Sequence, residues 1–314
     1  MNAPRSRRSL VDWITTSSKR MRGRVDPAVA AFRDPARLAL GSWRVALRSD
    51  RRAQAGTALI VVLTAMAIYA GIAAPVVGDP TARLLPPSSG HPFGTDAVGR
   101  DLLVALVHGS FPTLAPAVTA AIGSAAVGFA LGALAGFLRG FTDVLVQRLA
   151  EALTAVPLLL VVLVAQALIP APSAASLLIV VVLTRWAEVA QVVRADVLRV
   201  MQLDYVLAAR ALGAGPGRLL ARHVLPSVLA SAVVLGSFGV GAVVVVETAI
   251  AVVGVGFVHP LAWGALLGQA RAHPGAWWLV IFPAAFVALA LGATVLLGEA
   301  MRDTFDPRLR WTRR

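Results

Sequence analysis

The stretch YVLAARALGAGPGRLLARHVLP, residues 205–226, decides how the rest of the chain is read, because it is short, water-facing and arginine-bearing between strongly apolar segments. Residues 206–212 hold the helix formers Ala, Leu and Arg; Gly213, Gly215, Pro216 and Gly217 then break the helix, and residues 218–224 resume helical composition. The spacing predicts a helix, a bend and a second helix. Pro226 stands where the next hydrophobic run opens, a place that tolerates Pro because no intrahelical bond needs its missing N–H. Such a segment has the make-up of a docking surface.

The surroundings of that stretch are those of a membrane protein. The chain has 314 residues, 58% of them hydrophobic and 14% charged, with a mean hydropathy of +0.76, well above that of a soluble domain of this length. A bilayer core of roughly 30 Å takes about 20 apolar residues of helix. On that measure an all-α, polytopic protein with six transmembrane helices is expected, near 56–77, 112–138, 144–169, 174–198, 227–252 and 277–299. In the fourth, the purely apolar part ends at Thr184, and Arg185 and Glu188 follow.

Cations set the orientation. The segment before the first span is rich in arginine, including Arg5, Arg24, Arg44 and Arg52, and the tail carries Arg302, Arg308, Arg310, Arg313 and Arg314. Both termini are therefore expected in the cytoplasm, with the protein multi-pass in a cell membrane. Arg139 and Arg148 mark the second-to-third connection as inward-facing, as Arg194, Arg199, Arg210, Arg218 and Arg222 mark the fourth-to-fifth. The net charge of +13 is thus a sign of topology and of contact with membrane lipid, and no nucleic-acid partner is expected.

The expected organisation is a basic cytoplasmic extension over 1–37, disordered or forming a short surface helix, and an interfacial amphipathic helix over 38–55. In that helix Leu40, Trp43 and Leu47 share a face with Arg44, Arg48 and Arg51 around it. A domain of six spans follows over 56–302, with an outer cap at 79–110 and the inner loop at 203–225, and then a basic cytoplasmic tail over 303–314. No cleavable signal peptide is expected, since about fifty basic and polar residues precede the first apolar run, which reads as a signal anchor. Cysteine is absent, which leaves no disulfide and no thiolate site.

The outer cap rests on HPFGTDAVGRDLLVALVHGSFPTL, residues 91–114. Pro92, Gly94 and Gly99 make turns, Asp96 is placed to cap the short helix that follows, and Asp101 to meet that helix's N-terminal N–H groups. With His91 and Arg100 these residues form the candidate outer cap.

Ala208, Ala209, Gly213, His223, Leu225 and Pro226 are similar to the EAA loop of the permease subunits of ABC importers. Residues 91–114 resemble the signature after the first span in the C-type permeases for dipeptides, oligopeptides and nickel; residues 38–56, 247–256 and 298–310 agree with that subgroup. The resemblance implies the type I permease fold, with cytoplasmic coupling helices in which Tyr205, Ala208, Ala209, Arg210, Gly213, Arg218, His223 and Pro226 engage a groove of the ATPase. Leu207 stands where that family usually has an acidic residue, so packing and Arg210 are expected to carry more of the docking. The resemblance also implies a second homologous permease subunit, two ATPase subunits that bind ATP and Mg, and an extracytoplasmic solute-binding protein. The implied cargo is di- or oligopeptides, with nickel or another small solute as the alternative. The rivals from other classes are a stand-alone carrier or channel, and a membrane scaffold.

Other chemistry finds little support. Glu247 is about twenty residues into the fifth run, roughly 30 Å from Ser227 and so near the outer face. It either caps or pairs at an interface, or contacts the pathway's cargo or the binding protein. Arg185 and Glu188 make a self-neutralising i, i+3 pair, Glu151 and Glu299 fall near inner span ends, and none forms a proton-relay series. Lys19, the sole lysine, lies in no phosphate-binding loop, so the chain is not expected to be an enzyme or to bind a cofactor, and ATP hydrolysis falls to partner chains. His91, His108, His259 and His273 show no zinc-site spacing, which leaves His259 and His273 as the candidates for handling a metal cargo. Gly123, Gly128, Gly132 and Gly136 give the second span a smooth stripe for close helix packing, and Pro112, Pro116, Pro157 and Pro283 bend spans or sit in their first turns.

Overall fold

A computed structural model describes residues 50–305. The expected extension over 1–37, most of the interfacial helix over 38–55 and most of the tail over 303–314 lie outside the described residues.

Helix α1, Arg51–Ile72, opens on Asp50, whose carboxylate accepts from the Arg52 N–H at 2.9 Å. That cap fixes the start of this helix, so residues 51–55 are continuous with the first span expected from about 56. Pro75 and Gly78 end the apolar run early, and the helix stops at Ile72 instead of near 77. Helix α2, Leu102–Leu138, is 37 residues long, because the short helix expected in the cap and the second span are one continuous element with Pro112 and Pro116 inside it. At 1.5 Å per residue it measures about 55 Å and must project beyond the hydrocarbon core.

The expected third span is broken. Helices α3, Gly140–Thr154, and α4, Leu158–Leu168, meet at an angle of 84° across residues 155–157. Pro157 has no N–H to continue the ladder and becomes the N-cap of α4. Helix α5, Ala174–Val200, is one piece, opened by a reciprocal capping box between Ser173 and Ser176. After α6, Asp204–Ala211, the four-residue α7, Pro216–Leu219, runs through a wide π turn, Leu220–Val224, into α8, Leu225–Val253. Helix α9, Trp263–Gly268, and helix α10, Trp278–Phe305, complete the described chain. Among the described residues five helices are long and apolar enough to cross a membrane, and the bent pair α3–α4 supplies a sixth crossing when taken as one span. Among the described residues the only β pairing is an isolated bridge between Thr95 and Asp101.

The seam between α2 and α5 is the most extensive helix contact, and the small-residue stripe makes it. A Cβ built on Gly128 would lie 2.6 Å from the Trp186 carbonyl oxygen, and one on Gly132 would lie 2.5 Å from that of Ala190. One on Gly136 would lie 2.9 Å from the Val197 Cβ. Backbones this close gain dispersion contacts that lipid cannot match. At the end that carries residues 203–225, Val189, Val193 and Val197 of α5 pack on Ala133 of α2 and on Val228 and Ala232 of α8. Helix α3 joins them through Val146 and Ala150 against Trp186 and Ala190. At the opposite end Leu102 and Leu106 pack with Trp263, Leu266 and Leu279.

Candidate functional site

The inner loop is a helix, a bend and a second helix, as its composition requires. Helix α6 has Asp204 in its first turn and Arg210 in its last, both matched to the helix dipole. It ends in a Schellman arrangement: the Gly213 N–H donates to the Arg210 carbonyl at 3.0 Å and the Ala214 N–H to that of Ala209 at 3.1 Å. Gly213 takes φ +85°, the left-handed conformation that this cap needs. Pro216 then opens α7 and Pro226 lies in the first turn of α8. Thus α7, the π turn and α8 make one continuous helix from the docking loop into the membrane.

One side of the loop is anchored and the other is open. Val206, Leu219 and Val224 are buried with Val197, Val200 and Val228. The Tyr205 hydroxyl meets the Ser227 hydroxyl at 3.3 Å, and its ring lies 6.4 Å from that of His223. Asp196 of α5 accepts from the Ser231 hydroxyl of α8, and Asp143 of α3 holds Arg194 of α5 through both carboxylate oxygens. Ala208, Arg210, Gly213 and Arg218 are exposed on the opposite side, where Leu212 is 89% exposed and Leu207 46%. The structure therefore separates the sequence candidates: Tyr205, Ala209, His223 and Pro226 brace the loop, while Ala208, Arg210, Gly213 and Arg218 form its outward face. Sequence reading missed Ser227, Ser231, Asp196 and the π turn; a hydroxyl or carboxylate just inside a span end was the available signal.

The outer cap is closed on itself. Asp96, expected to cap a helix, is instead fully buried and accepts from the N–H groups of Val98 and Arg100, both at 2.9 Å, and from the Arg100 guanidinium at 2.6 and 2.7 Å. The capping belongs to Asp101, which accepts from the Val104 N–H at 3.1 Å and meets His91 Nδ1 at 2.9 Å. A five-residue advance of the helix start over Asp96 explains the exchange, since only Asp101 sits at the N-cap of α2. Gly94 and Gly99 take φ of +77° and +84°. A Cβ on Gly94 would lie 2.7 Å from the Leu85 carbonyl oxygen, and one on Gly99 would collide with that of Asp79. Distant elements clamp the cap: Trp278 Nε1 donates to the Thr95 carbonyl at 3.0 Å, and the Ala97 N–H to Gln269 Oε1 at 3.0 Å.

Glu247 lies in the last two turns of α8, with its Oε2 buried and without a hydrogen-bond partner. Among the histidines, His259 accepts from the Leu261 N–H through Nδ1 at 3.2 Å, and burial together with nearby Arg100 pushes its pKa down from 6.5. His108 Nδ1 faces the Val104 carbonyl at 2.9 Å. Both rings line an apolar cavity of about 730 Å³ between the end of α1, the first half of α2, the start of α5 and residues 257–261. Among the described residues no group of three His, Cys, Asp or Glu side chains is placed to hold a metal ion.

A helical bundle with five or six candidate spans, and with an exposed basic loop continuous with one of them, belongs to the class of multi-pass membrane proteins. The family described as the binding-protein-dependent transport system inner membrane component matches residues 128–311, and the chain belongs to that family. It is 32% identical to the dipeptide transport system permease protein DppC of Bacillus subtilis, over 86% of this chain and 85% of that protein. It is likewise 32% identical to the oligopeptide transport system permease protein OppC of the same organism, over 91% of this chain and 97% of that one. A probable D,D-dipeptide transport system permease protein of Escherichia coli is 31% identical over 80% of this chain and 85% of its own length. The family resemblance read from residues 91–114 and 205–226 is thus confirmed.

Proposed function

We propose that this chain is one half of the translocation path of an ATP-driven, binding-protein-dependent importer of di- and oligopeptides in a bacterial cell membrane. A second, homologous permease subunit forms the other half. Two ATPase subunits bind ATP and Mg and grip the loop at 203–225, while this chain binds no cofactor and hydrolyses nothing. A solute-binding protein delivers cargo at the outer cap, and both termini face the cytoplasm. The similarity to dipeptide and oligopeptide transport permeases of Bacillus subtilis supports the cargo.

The observation that carries the coupling role is the loop's one-sided build: Leu207, Arg210, Leu212 and Arg218 lie open to a partner on a helix pair whose other side is locked into α5 and α8. ATP binding closes the ATPase pair, which displaces α6 and α7 and with them α8, so the path alternates between two states that the nucleotide biases. Affinity purification through this chain should recover two ATPase subunits and one further permease, and the reconstituted complex should take up a radiolabelled dipeptide only with ATP and a binding protein present. Uptake by this chain alone would overturn the reading, and uptake of nickel but no peptide would overturn its cargo.

A further inference from the structure

Helix α5 carries charge inside the span. Arg185 and Glu188 join at 3.0 Å through Glu188 Oε2, with side chains 9% and 52% exposed. Glu188 lies six residues, about 9 Å, further into the span than Arg194, farther than a glutamate side chain can reach back. Next to the pair is the α3–α4 break, where Ala155, Val156 and Pro157 are exposed. Thr154 and Pro157 share with Thr184, Arg185 and Glu188 a cleft of about 170 Å³. Hydrocarbon offers no hydrogen bond to a carboxylate or to open backbone, so irregular backbone at membrane depth persists only inside protein or along a water-filled path. Two separate features thus turn the same face away from lipid.

The cleft offers acceptors beside Arg185. The Thr154 hydroxyl donates to the Ala150 carbonyl and the Thr184 hydroxyl to that of Val180, both at 2.8 Å, so each hydroxyl proton is committed and each oxygen is left as an acceptor. Arg185 is buried and meets Glu188 through Oε2, which leaves Oε1 to accept from whatever enters. A half-exposed carboxylate flanked by two hydroxyl acceptors suits a primary ammonium, which has three donors and no acceptor. We propose that this cleft is a station on the inner half of the translocation path, where Glu188 receives the α-ammonium group of the passing peptide; this rests on the peptide-importer reading above.

The test uses the complete transporter, purified through this chain and placed in proteoliposomes. The chain has no native cysteine, so a Glu188→Cys variant reports on one position of it. That variant should react with a water-borne trimethylammonium methanethiosulfonate, read on this chain by mass. Glu188→Gln should lower the uptake of radiolabelled alanyl-alanine per ATP hydrolysed by about tenfold, the scale of one charge-assisted contact, and Glu188→Asp should recover most of it. An unreactive Glu188→Cys variant, or undiminished uptake per ATP in Glu188→Gln, overturns the proposal. So does loss of the second permease from the purified Glu188→Gln complex, which would place the carboxylate at a subunit interface. If the unaltered transporter takes up no alanyl-alanine, the peptide reading and the ammonium role fall together, and the thiol reaction still decides whether Glu188 faces water.

Discussion

The outer cap and the inner loop use the same materials, glycine turns, proline, arginine and aspartate around the start of a helix, and they differ in how many of their groups are already committed. In the cap, Asp96 is engaged from several directions and Trp278 and Gln269 reach in from far along the chain. In the loop, Arg210, Leu212 and Arg218 face outward. A closed assembly of polar groups serves rigidity, whereas an open face of leucine and arginine leaves its groups available for a contact. The cap therefore acts as a bracket for the start of α2, and the loop, under the proposed coupling role, as a grip.

That contrast can be broken most strongly at the cap. Asp96→Ala would leave the Arg100 guanidinium buried without its counter-charge, and thermal unfolding in detergent should show a loss of about 3–5 kcal/mol. Retention of full stability would mean that the cap is not a bracket. On the loop side the larger effect is expected from Gly213→Val. A Cβ there meets nothing within 4 Å, so the cost, about 1–2 kcal/mol, comes from the left-handed backbone alone. The variant should insert normally, its complex should hydrolyse ATP without matching uptake, and coupled uptake in that complex would remove the cap of α6 from the mechanism.

A gentler probe is Leu212→Asp. This side chain supports nothing within the chain, so stability should stay within about 0.5 kcal/mol while recovery of ATPase subunits on purification drops. The smallest effect is one of pH at the outer side. His259 has its pKa lowered in the fold, so the unfolded chain takes up the proton first. Its contribution to stability is complete above about 6.5 and is lost as the pH falls toward the folded value. Comparing melting curves of the wild type and His259→Gln between neutral and mildly acidic pH should show a shallower slope in the variant.

Much of this was legible in the residues. The glycine stripe of α2, the helix end at Gly213 and the Arg185–Glu188 pair are local signals, each written within a few positions of the chain. The break at Pro157 was only half visible, because Leu158 and its successors are as apolar as the residues before the break, and hydropathy records composition without direction. The role of Asp96 was hidden for a different reason. Turn-rich sequence offers two aspartates near one helix start, and the choice between them depends on Trp278 and Gln269, more than 170 residues away, closing over Thr95 and Ala97. The openness of the loop was readable, whereas the bracing by Ser227, Ser231 and Asp196 depends on how three helices come together.

The unbroken rod from Pro216 to Val253 has 38 residues and a length of about 57 Å. Asp196 of α5 fastens it at Ser231, a point about 22 Å from the Pro216 end and about 33 Å from the Val253 end. Glu247 lies about 24 Å beyond that tie, so a tilt of the rod about it would carry the Pro216 end and the surroundings of Glu247 through similar distances in opposite directions.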